Sequence, residues 1–145
     1  MQMPNLVPLM KVQELCLDGR LTIHQIVRAN TETRGGLGSL LDECSYKFEM
    51  YRQAMSTETF LANAWCGARA VCQPKVDAFA QCAMRRNTYM QELQHREQLG
   101  NNAGAQLPLA DLQQAPPKCG RVKQDLEACV KRFSSRVVKY TLDSA

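Results

Sequence analysis

The sequence has few aromatic residues, few histidines and no long hydrophobic run. Aromatic residues make up 6% of the 145 residues, so large buried rings can contribute little to a core. The two histidines, His24 and His95, stand alone rather than at the spacing of metal ligands. No stretch approaches the roughly 20 apolar residues that cross a bilayer. We therefore expect no metal site and no membrane-spanning helix, and the core needs another source of stability.

The chain also lacks concentrated charge of one sign and the motifs of common enzymes. The net charge is +4, and basic residues are interleaved with acidic ones between Arg121 and Lys131. A nucleic-acid-binding surface needs clustered lysines and arginines, so we expect no nucleic-acid partner. Residues 34–38, RGGLG, have neither the spacing nor the lysine of a phosphate-binding loop, and there is no CXXC pair. We expect no catalytic residue, no cofactor and no enzymatic activity.

Apolar residues recur at helical spacing through most of the chain, and no segment alternates as a strand does. This pattern predicts an all-α fold. Residues 1–38 predict an irregular N-terminal arm with one short helix, which includes Ile23 and Ile26, and the glycines of residues 35–38 predict a loop. Ser39 is a predicted N-cap, at the start of an N-terminal helical region over residues 39–71.

Residues 72–141 predict two further helices. Pro74 suits the first turn of the earlier helix, and Gly100 suits its end. Residues 100–117 hold three prolines and predict a linker, after which an apolar stripe predicts a last helix over residues 118–141.

Cysteine is the residue type that the sequence does have, with seven at positions 16, 44, 66, 72, 82, 119 and 129. Nine residues separate Cys72 from Cys82, and nine separate Cys119 from Cys129. A step of ten residues is nearly three helical turns, so both sulfurs of a pair lie on one side of a helix, about 15 Å apart. Two such helices packed antiparallel can be joined by two disulfides, Cys72–Cys129 and Cys82–Cys119. The alternative is that these cysteines are reduced and packed as small hydrophobic side chains.

The remaining three cysteines show no such spacing. Cys44 and Cys66 are candidates for a further disulfide, but the sequence does not decide whether they pair with each other. It also leaves open whether Cys16 is free.

The paired CX9C arrangement resembles the coiled-coil-helix-coiled-coil-helix (CHCH) family of mitochondrial proteins. The resemblance covers Cys72 to Cys129 with its flanks and rests on the four cysteines. It implies a disulfide-stapled antiparallel helical hairpin that is oxidised in the intermembrane space by the disulfide-relay import machinery. The segment from Ala83 to Lys118 is much longer than the short turn usual in the family.

A second resemblance concerns the N-terminal part. Residues 12–18, VQELCLD, with IVRA at 26–29 and CSYKF at 44–48, are similar to the start of PGIV-type accessory subunits of respiratory complex I. Ala54 stands where Cys44 would need a CX9C partner, so this chain lacks one pair of that family. The resemblance implies a non-catalytic accessory subunit, peripheral to the inner membrane on its intermembrane-space side. The alternative is a mitochondrial ribosomal protein of the CHCH family.

We expect the last helix to supply a contact with partner proteins. Phe133, Val137 and Tyr140 continue its apolar stripe beyond the cysteine-bridged segment. An exposed apolar stripe needs a cover, and we expect neighbouring subunits of a large mitochondrial complex to provide it.

Overall fold

The computed structural model describes residues 3–19, 31–104 and 117–143, with side chains at 3–19, 35–98 and 117–139. Every regular element within these ranges is an α-helix, which confirms the predicted all-α, disulfide-stapled fold. The four helices are α1 (Val7–Leu17), α2 (Thr31–Gln53), α3 (Thr57–Gly104) and α4 (Gly120–Asp143). The predicted helix around Ile23 and most of the predicted linker lie outside the described residues. Across the described ranges, none of the helices has the length and hydrophobicity of a membrane span.

Helix α1 occupies a segment that the sequence predicted to be irregular. Pro8 lies in its first turn, where proline is favoured because the first N–H groups of a helix have no partner within it. Leu9 and Val12 are buried against the other helices, so packing stabilises this short helix. Gly19 has a φ of 73° and its N–H donates to the carbonyl oxygen of Cys16, which ends the helix in the manner of a glycine C-cap.

Helix α2 runs through the glycines that predicted a loop, and it begins eight residues before Ser39, the predicted N-cap. Both predictions were wrong. One physical reason lies at Gly36, where an added Cβ would be 2.9 Å from Cε2 of Phe133 in α4. The glycine lets the Phe133 ring lie against the α2 backbone, so its presence reflects close helix packing rather than a break in the helix.

Helix α3 starts just after Ser56. The Thr59 N–H donates to Oγ of Ser56 over 3.1 Å, and the Ser56 N–H donates to Oγ1 of Thr59 over 3.0 Å. This reciprocal arrangement satisfies two N–H groups at the helix start, as a capping box does, with threonine in the place of the usual glutamate.

Helix α3 then continues through Pro74, where the sequence predicted the start of a new helix. The rings of Trp65 and Phe79 nevertheless stack with centroids 5.8 Å apart. Fourteen residues of straight helix would rise about 21 Å, which is further than two side chains can bridge. We infer that α3 bends at Pro74 toward these rings, because proline lacks the N–H of one helical hydrogen bond and its ring clashes with the preceding turn.

The core forms where α1 and α2 meet the first part of α3. At Gly67 an added Cβ would lie 3.1 Å from Cδ1 of Leu40 and 3.3 Å from Cδ1 of Leu9, so this glycine lets both helices approach α3 closely. Helix α4 completes the core with two fully buried valines, Val130 and Val137. The core side chains include Leu6, Leu9, Val12, Leu37, Leu40, Ala64, Ala68, Leu126, Val130 and Val137.

The glycines of α2 offer a matched test of this packing. Gly38→Ala should raise the free energy of unfolding by up to about 1 kcal/mol, because alanine favours helix and nothing lies within 4 Å of the new Cβ. Gly36→Ala should lower it by about 1–3 kcal/mol, because the Phe133 ring must move. Urea denaturation of both variants measures the difference. Equal gains for the two variants would contradict the contact between α2 and α4.

Candidate functional site: the disulfide-linked helices

Two disulfides join α3 to α4. Cys72 pairs with Cys129, with Cα atoms 6.3 Å apart, and Cys82 pairs with Cys119, the residue immediately before α4, with Cα atoms 5.9 Å apart. These are the two pairings that antiparallel packing of the CX9C helices predicts. Because the later cysteine of one helix bonds to the earlier cysteine of the other, α3 and α4 run antiparallel through this segment.

Apolar side chains fill the space between these two disulfides. Val76 and Phe79 from α3 are buried there, as is Leu126 from α4, and Val122 is half-buried. The disulfides close loops with sequence separations of 57 and 37 residues. A disulfide closing a loop of this kind typically stabilises the folded state by about 2–4 kcal/mol, mainly by restricting the unfolded chain.

A third disulfide, Cys44–Cys66, joins α2 to α3, with Cα atoms 5.8 Å apart. The sequence had left this pairing open. The sequence does hold a signal for this pairing, which is the distance of each cysteine from the turn between α2 and α3. Cys44 precedes this turn, which follows Gln53, by about as many residues as Cys66 follows it. In an antiparallel pair of helices, two such positions lie opposite each other.

A buried pair of amide side chains joins α1 to α3, and sequence reasoning did not anticipate it. Nε2 of Gln13 donates to Oδ1 of Asn63 over 3.0 Å, and Nδ2 of Asn63 donates to Oε1 of Gln13 over 2.9 Å. Both side chains are buried. Leaving either amide unpaired in the core would cost about 1–3 kcal/mol, so the pair fixes how α1 lies on α3. A polar residue on a helix usually indicates the surface, and nothing in the pattern marks these two as partners.

Two of the three residues predicted to contact partners are instead part of this chain's own core. Phe133 is 7% exposed and Val137 is 0% exposed, and both belong to the cluster formed with α1, α2 and α3. The stripe is apolar because the N-terminal helices cover it, so the prediction of a partner surface at these two positions was wrong. The side chain of Tyr140 lies outside the described part of the structure.

Cys16 is free and half-buried near the end of α1. Burial raises the pKa of its thiol from the ordinary 9.0 to about 11. The thiolate is the nucleophilic form of cysteine, so this thiol is poorly reactive at neutral pH.

The two histidines are not part of the disulfide-linked site. His95 is exposed on α3, and His24 lies outside the described residues. Within the described ranges, no group of three or more histidine, cysteine, aspartate and glutamate side chains is placed to hold a metal ion.

No known protein family, no curated protein and no solved structure matches this chain. The disulfide-linked helices are therefore the feature from which a function is argued.

The buried Cys16 thiol makes stability depend on pH. Its pKa in the folded chain, about 11, exceeds the ordinary value of 9.0, so its contribution is full below pH 9 and is lost as the pH rises through 11. The free energy of unfolding of the parent protein should therefore fall more steeply across this interval than that of Cys16→Ala. Urea titrations at a series of pH values measure both slopes. Identical slopes would show that the fold does not favour the protonated thiol.

Proposed function

We propose that this protein is a non-catalytic structural accessory subunit of a mitochondrial inner-membrane respiratory complex. The complex that we propose is respiratory complex I. The observation that carries the proposal is the CX9C hairpin, in which Cys72–Cys129 and Cys82–Cys119 link two antiparallel helices. This is the arrangement expected from the resemblance to CHCH proteins. The resemblance of residues 12–18 and 44–48 to PGIV-type subunits supports the choice of complex I.

The disulfides also support a location in the intermembrane space. Three disulfides use six of the seven cysteines, and disulfides persist in oxidising compartments rather than in the cytosol or nucleus. The route that fits this chemistry is oxidation of the reduced chain by the disulfide-relay import machinery. The proposed position is peripheral to the inner membrane.

The surface that we propose for contact with neighbouring subunits lies on α3 beyond the second disulfide. The face of α3 that includes Cys82 continues at helical spacing through Tyr89 and Leu93, with Met90 beside them, and two half-buried arginines, Arg86 and Arg96, flank these residues on the same face. Tyr89 and Leu93 are half-buried, Met90 is exposed, and no side chain between residues 83 and 98 is buried. We call this segment, residues 83–98, the α3 arm. It replaces Phe133 and Val137 as the proposed partner surface.

Fractionation of mitochondria tests the proposed assembly. On blue-native gels followed by mass spectrometry, the protein should migrate with subunits of complex I, and protease should digest it in mitoplasts with a ruptured outer membrane. Migration with the mitochondrial ribosome and protection from protease would favour the alternative, a matrix protein of the ribosome. Migration with neither assembly would overturn both assignments.

The contact through the α3 arm has its own matched pair of variants. Met90→Glu with Leu93→Glu places two charges on the proposed contact face, and Thr88→Glu with His95→Glu places the same two carboxylates on the opposite side of the helix. Burying an unpaired carboxylate in an interface costs several kcal/mol, so only the first variant should lose co-migration with the complex, by at least about tenfold. Circular dichroism should show both variants folded, because none of the four side chains is buried. Equal retention would place the contact elsewhere.

A further inference from the structure

An open groove lies between α1 and α4, away from the disulfide-linked segment. Its volume is about 340 Å³, and its walls are Pro8 and Lys11 from α1 with Ser134, Ser135, Val138 and Lys139 from α4. The volume is at the lower end of the range for sites that hold small ligands or head groups.

The charge in this groove is of one sign. Lys11 and Lys139 are both exposed, one on each helix, and none of the described side chains that line the groove is acidic. The groove beside the Cys72–Cys129 disulfide differs, because Asp125 accompanies its two basic residues. Two lysines in a groove with no carboxylate in its described lining favour an anion, and their attraction is strongest to a surface that carries many anions.

Besides the lysines, the groove has apolar side chains at its rim and a buried polar side chain beneath them. Val138 is 37% exposed and Val7, next to Pro8, is 42% exposed, so aliphatic side chains reach solvent beside the lysines. Ser134 is only 6% exposed, and within the described ranges its hydroxyl is the one buried side-chain oxygen or nitrogen without a hydrogen-bond partner. A buried hydroxyl without a partner is costly, and a ligand oxygen that enters the groove could accept its hydrogen bond.

We propose that this groove binds the phosphate of an anionic phospholipid in a membrane surface, with the phosphate between Lys11 and Lys139. In this arrangement the Ser134 hydroxyl donates to a phosphate oxygen, and Val7 and Val138 meet the acyl region. Exposed aliphatic residues beside lysines suit a membrane interface, where both contribute to binding. The inference concerns the isolated chain and does not depend on which complex the protein joins.

Vesicle binding by the purified, oxidised full-length protein tests the site. The protein should sediment with vesicles that contain phosphatidylglycerol and not with vesicles of phosphatidylcholine alone. Lys11→Gln with Lys139→Gln should lower the partition constant roughly thirtyfold, the effect of losing two lysines at an anionic surface. Lys47→Gln with Lys75→Gln removes the same charge from exposed positions on α2 and α3, outside the groove, and should change binding less than about threefold.

Equal losses in the two double variants would mean that net charge alone causes binding and would overturn the site. Absence of binding to both kinds of vesicle would also overturn it, and would favour a protein occupant.

Ser134→Ala separates the phosphate site from a merely charged surface. The variant should be at least as stable as the parent in thermal melts, because it removes an unpartnered buried hydroxyl, yet its binding to phosphatidylglycerol vesicles should weaken several-fold. Full binding by this variant would contradict the role of Ser134. A short-chain phosphatidylglycerol below its micelle concentration, and inorganic phosphate, serve as further probes. Saturable binding of inorganic phosphate as tight as that of the lipid would show an anion site without lipid character and would overturn the proposal.

Discussion

The equal ten-residue steps between Cys72 and Cys82 and between Cys119 and Cys129 constrain α3 and α4 at two points about 15 Å apart along each axis. Two links at equal spacing set both the direction and the register of the helix pair, because sliding either helix by one turn would separate both pairs of sulfurs. With few aromatic residues to fill a core, the chain depends on this covalent register for much of the order between its helices. The third disulfide does the same for α2 and α3.

The register of α4 relative to α3 determines which side chains of α4 the N-terminal helices α1 and α2 can cover. Once Cys129 lies beside Cys72, the last turns of α4, residues 130–143, extend past the disulfides, and Phe133 and Val137 face α1 and α2. Helix α1 then packs against both α3 and α4, held on α3 by the amide pair of Gln13 and Asn63. The same placement creates the groove between α1 and α4, and it leaves the α3 arm as the surface proposed for partners.

Sequence reasoning reached the features that depend on spacing and period, and it failed where contact between distant segments decided the structure. The cysteine spacing predicted the antiparallel disulfide pairing, and the helical periodicity of apolar residues predicted the all-α fold. The stripe at Phe133 and Val137 correctly marked a buried face, but periodicity cannot tell cover by the same chain from cover by a partner. Glycines in α2 suggested a loop because local propensity does not report a ring from α4 at Gly36. Pro74 suggested the start of a new helix, whereas α3 continues through it. The proline is accommodated by the bend that we infer there.

The central claim is that two disulfides set the register of α3 and α4, and peptide mapping of the native protein without reduction tests it most directly. After free thiols are alkylated at neutral pH, proteolysis and mass spectrometry should find Cys72 linked to Cys129 and Cys82 linked to Cys119. Cys44 should be linked to Cys66, and Cys16 should be alkylated more slowly in the native protein than in the unfolded chain. Links within each helix pair, Cys72 to Cys82 or Cys119 to Cys129, or four alkylated thiols at these positions, would contradict the account.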